Sequence, residues 1–189
     1  MGARHSLVLK KDEGVWAAGD NLFGQLGDGS TKSSTNLFMK VFPRGAKALA
    51  AGGGHSIVLN QDGSVWAVGR NKFGQLGDGS DTDKQTFVCV VSAGGKAVSA
   101  GGQHSLLVKR DGSVWSTGSN MSGQLGQEDL DGKNSYFFAI VIDSGGENVA
   151  AGFYYSMLLK QDSSVWATGM NEKGQLGDGS TESKHSFVQ

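Results

Sequence analysis

The 189-residue chain has one cysteine, Cys89, and one proline, Pro43. A lone cysteine excludes an intrachain disulfide framework and a multi-cysteine metal site. Scarce proline excludes collagen-like and polyproline structure. No apolar run approaches the ~18 residues that carry a helix across a membrane. The N-terminus has no apolar signal core, and together with the single cysteine this favours an intracellular location. Lys and Arg number 17 against 18 Asp and Glu, and no segment is a run of basic residues. Nucleic acid and membrane are therefore not expected partners, because nothing supplies the attraction.

Glycine, by contrast, makes up 31 of the 189 residues, against a usual share of ~7%. Its positions repeat. GQLG begins at Gly24, Gly74, Gly123 and Gly174, and a tryptophan precedes each copy at Trp16, Trp66, Trp115 and Trp166. A third marker, HSLVL, HSIVL, HSLLV or YSMLL, begins at His5, His55, His104 and Tyr155. Marker-to-tryptophan and tryptophan-to-GQLG distances are the same in every unit. All length variation falls between GQLG and the next marker, as expected of loops on a rigid frame. The units run over approximately 1–50, 51–99, 100–150 and 151–189, within a single repeat domain.

Each unit reads as strands. HSIVL and VWAVG flank an Asp-Gly hairpin turn at Asp62-Gly63, and Asp111-Gly112 repeats it. An apolar run such as FVCVV gives a third strand, in which Cys89 is expected to be buried. A small-residue segment such as KAVSAG gives the fourth. The unit is expected to form a four-stranded antiparallel meander. In the marker strand His55, Ile57 and Leu59 alternate with Ser56 and Val58, so both faces are suited to packing. Sheets covered on both sides, ~50 residues per unit and a small-residue inner strand indicate an all-β fold, a β-propeller of four-stranded antiparallel blades. Four units with 15 expected strands make an incomplete ring, an open arc.

The segments GGGHSIVLNQDGSVWAVGRNKFGQLGDGS and GGQHSLLVKRDGSVWSTGSNMSGQLGQ resemble repeats of the regulator of chromosome condensation family. The resemblance covers essentially the whole chain. In that family about seven repeats usually close a propeller. Its members include a Ran guanine-nucleotide exchange factor, an ultraviolet-B photoreceptor, a secreted β-lactamase inhibitor and modules of ubiquitin ligases. The resemblance thus implies a binding platform and leaves the partner open. Unit four departs from the pattern, with Tyr155 at the marker histidine and Ser163 at the turn glycine.

No nucleophile, base and orienting acid recur together, so an enzyme is not expected, and nothing calls for a cofactor. The tryptophans lie outside the photoreceptor's Gly-Trp-Arg-His-Thr motif and read as packing between blades. His5, His55 and His104 read as structural, since equivalent residues of neighbouring blades cannot converge at zinc distance. Asp78, Asp81 and Asp83, and Glu128, Asp129 and Asp131, lack the spacing of a calcium loop and read as solvated loop acids. Asn120-Met121-Ser122 is a glycosylation sequon placed in a recurring turn.

Antiparallel topology puts the Gly-x-Asn loop, the variable loop and the AGGxH junction at one end of the arc. The residues that differ between units there are the candidate partner-binding set. They are Arg4, Gln103, Phe153 and Tyr154 at the junction, Asp20, Arg70 and Met170 in the Gly-x-Asn loop, and Phe23, Phe73 and Met121 beside it. Aromatics, Met and Arg are enriched at protein interfaces. The leading expectation is a protein–protein interaction scaffold. Guanine-nucleotide exchange on a Ran-like small GTPase and proteinaceous inhibition of an enzyme are the alternatives. Self-association through exposed blade edges is a further expectation.

Overall fold

The computed structural model describes residues 2–32, 37–130 and 132–189. They form four antiparallel sheets. The first has three strands, β1 (His5–Leu9), β2 (Val15–Gly19) and β3 (Met39–Phe42). The second has β4 (Ala46–Ala51), β5 (His55–Asn60), β6 (Val65–Gly69) and β7 (Lys84–Val91). The third has β8 (Gly95–Ala100), β9 (His104–Lys109), β10 (Val114–Gly118) and β11 (Ser135–Ile142). The fourth has β12 (Gly146–Ala151), β13 (Tyr155–Lys160), β14 (Val165–Gly169) and β15 (Lys184–Val188). A 3-10 turn, Glu128–Leu130, lies in the third variable loop. The sheets are propeller blades, and the four together form an open arc.

The sequence unit and the blade are not in phase. The small-residue strands were expected to close a meander behind the third strand. Instead each pairs with the marker strand that follows it, through Ala51↔Ser56, Ala100↔Ser105 and Ala151↔Ser156. The AGGxH junction is a tight hairpin, closed by Gly52 N–H donating to His55 O at 2.9 Å. The link from β7 to β8 instead crosses between blades, and Gly95 N–H donates to Gly63 O of the preceding blade at 2.8 Å. Both links are short and contain glycine, which is why the sequence does not tell hairpin from crossover. The inner-edge placement expected for the small strands holds, since β4, β8 and β12 pack on one another.

The double-faced marker strand explains how blades stack. Ile57, Leu59 and Val65 meet Leu107 and Trp115 of the third blade, while Val58 and Trp66 meet Val15 and Phe42 of the first. Leu106, Val108 and Val114 meet Leu158 and Trp166 in the same manner. Burying a large apolar side chain contributes ~1.5–3 kcal/mol, so these joints dominate the stability of the arc. Trp66, Trp115 and Trp166 pack between blades, as expected, and Phe42 meets Trp66 edge-on at 5.9 Å, whereas Trp16 of the first blade joins no such cluster and carries Lys10 over its ring. Indole Nε1 of Trp66, Trp115 and Trp166 donates to Ser64, Ser113 and Ser164, whereas Trp16 has Gly14 at that place and no partner.

A polar chain crosses every joint beside the apolar one. His5, His55 and His104 bond through Nε2 to Ser56, Ser105 and Ser156 of the next blade at 2.8–2.9 Å. Each serine hydroxyl donates to the carbonyl of Gln25, Gln75 or Gln124 at 2.6 Å. A hydroxyl has one proton to give. The proton between histidine and serine is therefore the imidazole's, which fixes the Nε2–H tautomer. The Nδ1 atoms are buried and without partners.

Cys89 corrects an expectation, for it is exposed. It lies on β7, the outer edge strand of its sheet, and pairs with Trp66, as the exposed Ile140 of β11 pairs with Trp115.

Candidate protein-binding face

The loops at the variable end stand on a repeated frame. In each Gly-x-Asn loop the asparagine Oδ1 accepts from a backbone N–H five residues on, at Leu26, Leu76, Leu125 and Leu176. In three loops its Nδ2 reaches Asp28, Asp78 or Asp178 and the Ser30, Ser80 or Ser180 carbonyl. Asn120 donates to Gln127 O instead. The GQLG glutamine folds back, so that Gln25, Gln75, Gln124 and Gln175 accept from the backbone of Phe23, Phe73, Ser122 and Lys173. Positive φ at the GQLG glycines, such as Gly74 at 79°, lets the chain reverse here. A Cβ on Gly74 would also lie 2.5 Å from Ser135 O of the next blade.

This frame bears on two further sequence features. Both side-chain ends of Asn120 are bonded and the residue is fully buried, so the sequon is closed to glycosylation in the folded state. The carboxylate of Asp78 is engaged by Asn71 and Ser80 and by Lys84 at 3.2 Å, and Asp83 accepts from Asn71 N–H. Backbone and side-chain donation from Ser80, with Asn71 and Lys84, holds the Asp78 carboxyl below the usual range against the opposing effect of burial. These acids cap the loop. Asp131 lies outside the described residues, so the second acidic group is not described as a whole.

The marker histidines lie beneath the same end. Burial is the main cause that lowers the His55 pKa to about 3 and those of His5 and His104 to about 4. They are neutral struts.

Above the frame the candidate residues come in pairs. The backbone N–H of Asp20, Arg70, Ser119 and Met170 donates to the carbonyl of Arg4, Gly54, Gln103 and Tyr154 at 2.8–2.9 Å. The two positions that vary most between units are therefore adjacent in every blade, and the pairing brings Arg4 to Asp20 and Tyr154 to Met170. Arg70 lies over two aromatic rings, 4.8 Å from Phe23 of the preceding blade and 5.4 Å from Phe73 of its own. Gly54 makes room for this stack, for a Cβ there would lie 3.2 Å from Phe23. Phe23 and Phe73 are half-buried by it and thus support Arg70.

Phe153 and Tyr154 meet edge-on at 4.6 Å and remain exposed. Phe153 borders a depression of about 300 Å³ on the arc's inner side, lined by Ala51, Gly52, Ala100, Gly101 and Ala151. Met121 is 73% exposed. Leu22, at the equivalent place in the first blade and 63% exposed, belongs with it. Its signal in the sequence was its alignment with Met121 in the Gly-x-Asn loop.

Stacked antiparallel blades with a fixed frame and a variable loop end define a β-propeller arc. The regulator of chromosome condensation (RCC1) repeat matches residues 1–25, 46–75, 96–124 and 147–175, and a second model of that description matches 62–108. The chain belongs to the RCC1 repeat family. No curated protein sequence matches it significantly. Among solved structures, it superposes on yeast RCC1 (Prp20) in complex with Kap60 with a TM-score of 0.83 and 22% identity, covering 100% of this chain and 47% of that one. Prp20p from Saccharomyces cerevisiae, described with its binding properties to Gsp1p and histones, gives 0.81 and 23%, over 99% and 48%. Human WBSCR16 gives 0.82 and 25%, over 99% and 50%. The chain thus spans about half the length of these structures.

Proposed function

We propose that the chain binds another protein through the variable loop end of its arc. The observation that carries this reading is that Met121, Phe153 and Tyr154 stand exposed, and Arg70 is held half-buried on Phe23 and Phe73, all on the variable loop end of one repeated frame. Residues held this way lose little conformational entropy on docking, and aromatic and Arg anchors contribute most to interfaces. The yeast structures described with Kap60, Gsp1p and histones lend the fold-level analogy.

The test is a pull-down with the chain as bait, comparing wild type with a variant carrying Arg70→Ala, Phe153→Ala and Tyr154→Ala. Loss of specific partners at an unchanged melting temperature is the expected result, and unaltered recovery overturns the assignment. Exchange on a Ran-like GTPase and inhibition of an enzyme are finer readings of the same face. A nucleotide-release assay on a Ran-type GTPase separates the exchange factor from the other two.

A further inference from the structure

We propose that Arg70 takes the carboxylate of an Asp or Glu side chain, so that the partner segment docking on this face is acidic. The proposal rests on the reading of the variable loop end as the binding face, and it names the chemistry of the partner.

Three departures from the repeat meet at Arg70. Its own position holds Asp20, Ser119 and Met170 in the other units. Gly54 stands where they carry Arg4, Gln103 and Tyr154. Phe23 and Phe73 stand where the third and fourth units have Ser122 and Lys173. A Cβ on Gly54 would lie 3.4 Å from Arg70 Cβ and 3.6 Å from its Cδ. The arginine stem therefore passes over Gly54, through space that a side chain there would fill. This path brings the guanidinium against both rings.

The rings hold the cation without using its donors. A ring attracts the charge, whereas the five N–H donors lie in the plane of the guanidinium. Among the described residues the Arg70 guanidinium makes no hydrogen bond and no ion pair. Arg110, by contrast, donates to Gln61 O. Asp83 is the acid that reaches this loop, and it accepts from Asn71 N–H at 2.7 Å. The site is thus a charged fork, oriented in advance and left without an acceptor.

The fork sets the occupant. Two parallel N–H donors match the two oxygens of a carboxylate, and a planar guanidinium does this where an ammonium cannot. Lys72 of the same loop is offset by Asp81 and Asp83 of the same unit. No surplus of positive charge surrounds Arg70, as a phosphate dianion would require, whereas a single carboxylate needs only the fork. A hydrogen-bonded line of junctions leads from Gly53 through Gly101 and Gly102 to Phe153. An acidic segment that also carries apolar side chains can therefore engage both anchors.

The experiment selects random peptides displayed on phage against the wild-type chain and measures a selected peptide by fluorescence polarisation. Enriched sequences are expected to share an Asp or Glu. Changing that residue to Asn or Gln should weaken binding to wild type about tenfold or more, as loss of a charge-assisted pair does. On Arg70→Gln the same change should have little effect, because the carboxylate has already lost its partner. Arg70→Lys keeps the charge without the fork and should bind between the two. Melting temperatures verify that the variants fold. Enriched sequences without an acid overturn the proposal. If Phe153→Ala with Tyr154→Ala abolishes their binding, the reading of the face survives that failure. An acid whose removal weakens binding equally in wild type and Arg70→Gln also overturns the proposal. So does an Arg70→Lys variant that binds as wild type does, or a selection that enriches nothing.

Discussion

Acid should open this arc in a pH range where most globular proteins are stable, through its three buried histidines. Burial lowers their pKa values from 6.5 to about 4, 3 and 4 at His5, His55 and His104. The unfolded chain takes up a proton at each near pH 6.5, while the folded chain resists until about pH 4 or below. The stability is thus fully present above pH 6.5 and is lost as pH falls toward 4. At pH 5 the loss is about 2 kcal/mol per histidine and about 6 kcal/mol for the three. Total stability of a domain is usually ~5–15 kcal/mol, so the loss is a large part of it. Urea unfolding followed by tryptophan fluorescence from pH 7.5 to 4.5 should give a slope near pH 5 of close to three protons, about 4 kcal/mol per pH unit. His104→Gln should remove about a third of that slope. A stability that stays flat between pH 7 and 5, or a slope unchanged in His104→Gln, would refute the reasoning.

Other expectations concern single blades. Asn71→Ala removes the ties to Leu76, Asp78 and Ser80 from a buried site and should cost about 2–4 kcal/mol in chemical denaturation. Ser163 holds φ at 69° where Gly63 and Gly112 stand in other blades, so Ser163→Gly should raise stability by about 1 kcal/mol, read as an increase in melting temperature. Gly14→Ser should give the buried Trp16 Nε1 the partner that Ser64 gives Trp66, for a gain of about 0.5–1.5 kcal/mol in the urea midpoint. The added Cβ meets only the flexible end of Lys40 and Asp12.

The strands were legible because their chemistry is local. Alternation in HSIVL put Ile57 and Leu59 on one face and Val58 on the other, and both faces are buried against neighbouring blades. The blade phase was not legible, because the Ala51–His55 hairpin and the Val91–Gly95 crossover are short glycine-containing links alike. The exposure of Cys89 was hidden because FVCVV is apolar throughout, and nothing in its composition says that it forms the outer edge strand. Of the candidate face, the variable positions could be read by aligning the units. The Arg70 stack on Phe23 and Phe73 could not, because it joins side chains of two blades. Gly54 was its one trace, a glycine that no other unit repeats.

The serine–histidine chains that cross the joints have a kinetic consequence. Ser56 is satisfied only when both His5 and Gln25 of the preceding blade are in place, and Ser105 and Ser156 depend in turn on the second and third blades. Stability therefore propagates along the arc as in a one-dimensional array, from each element to the one beside it. The two middle blades are held from both sides and the terminal blades from one. Amide exchange should be slowest in β5, β6, β9 and β10 and faster toward β1 and β14, so that the molecule melts from its ends inward.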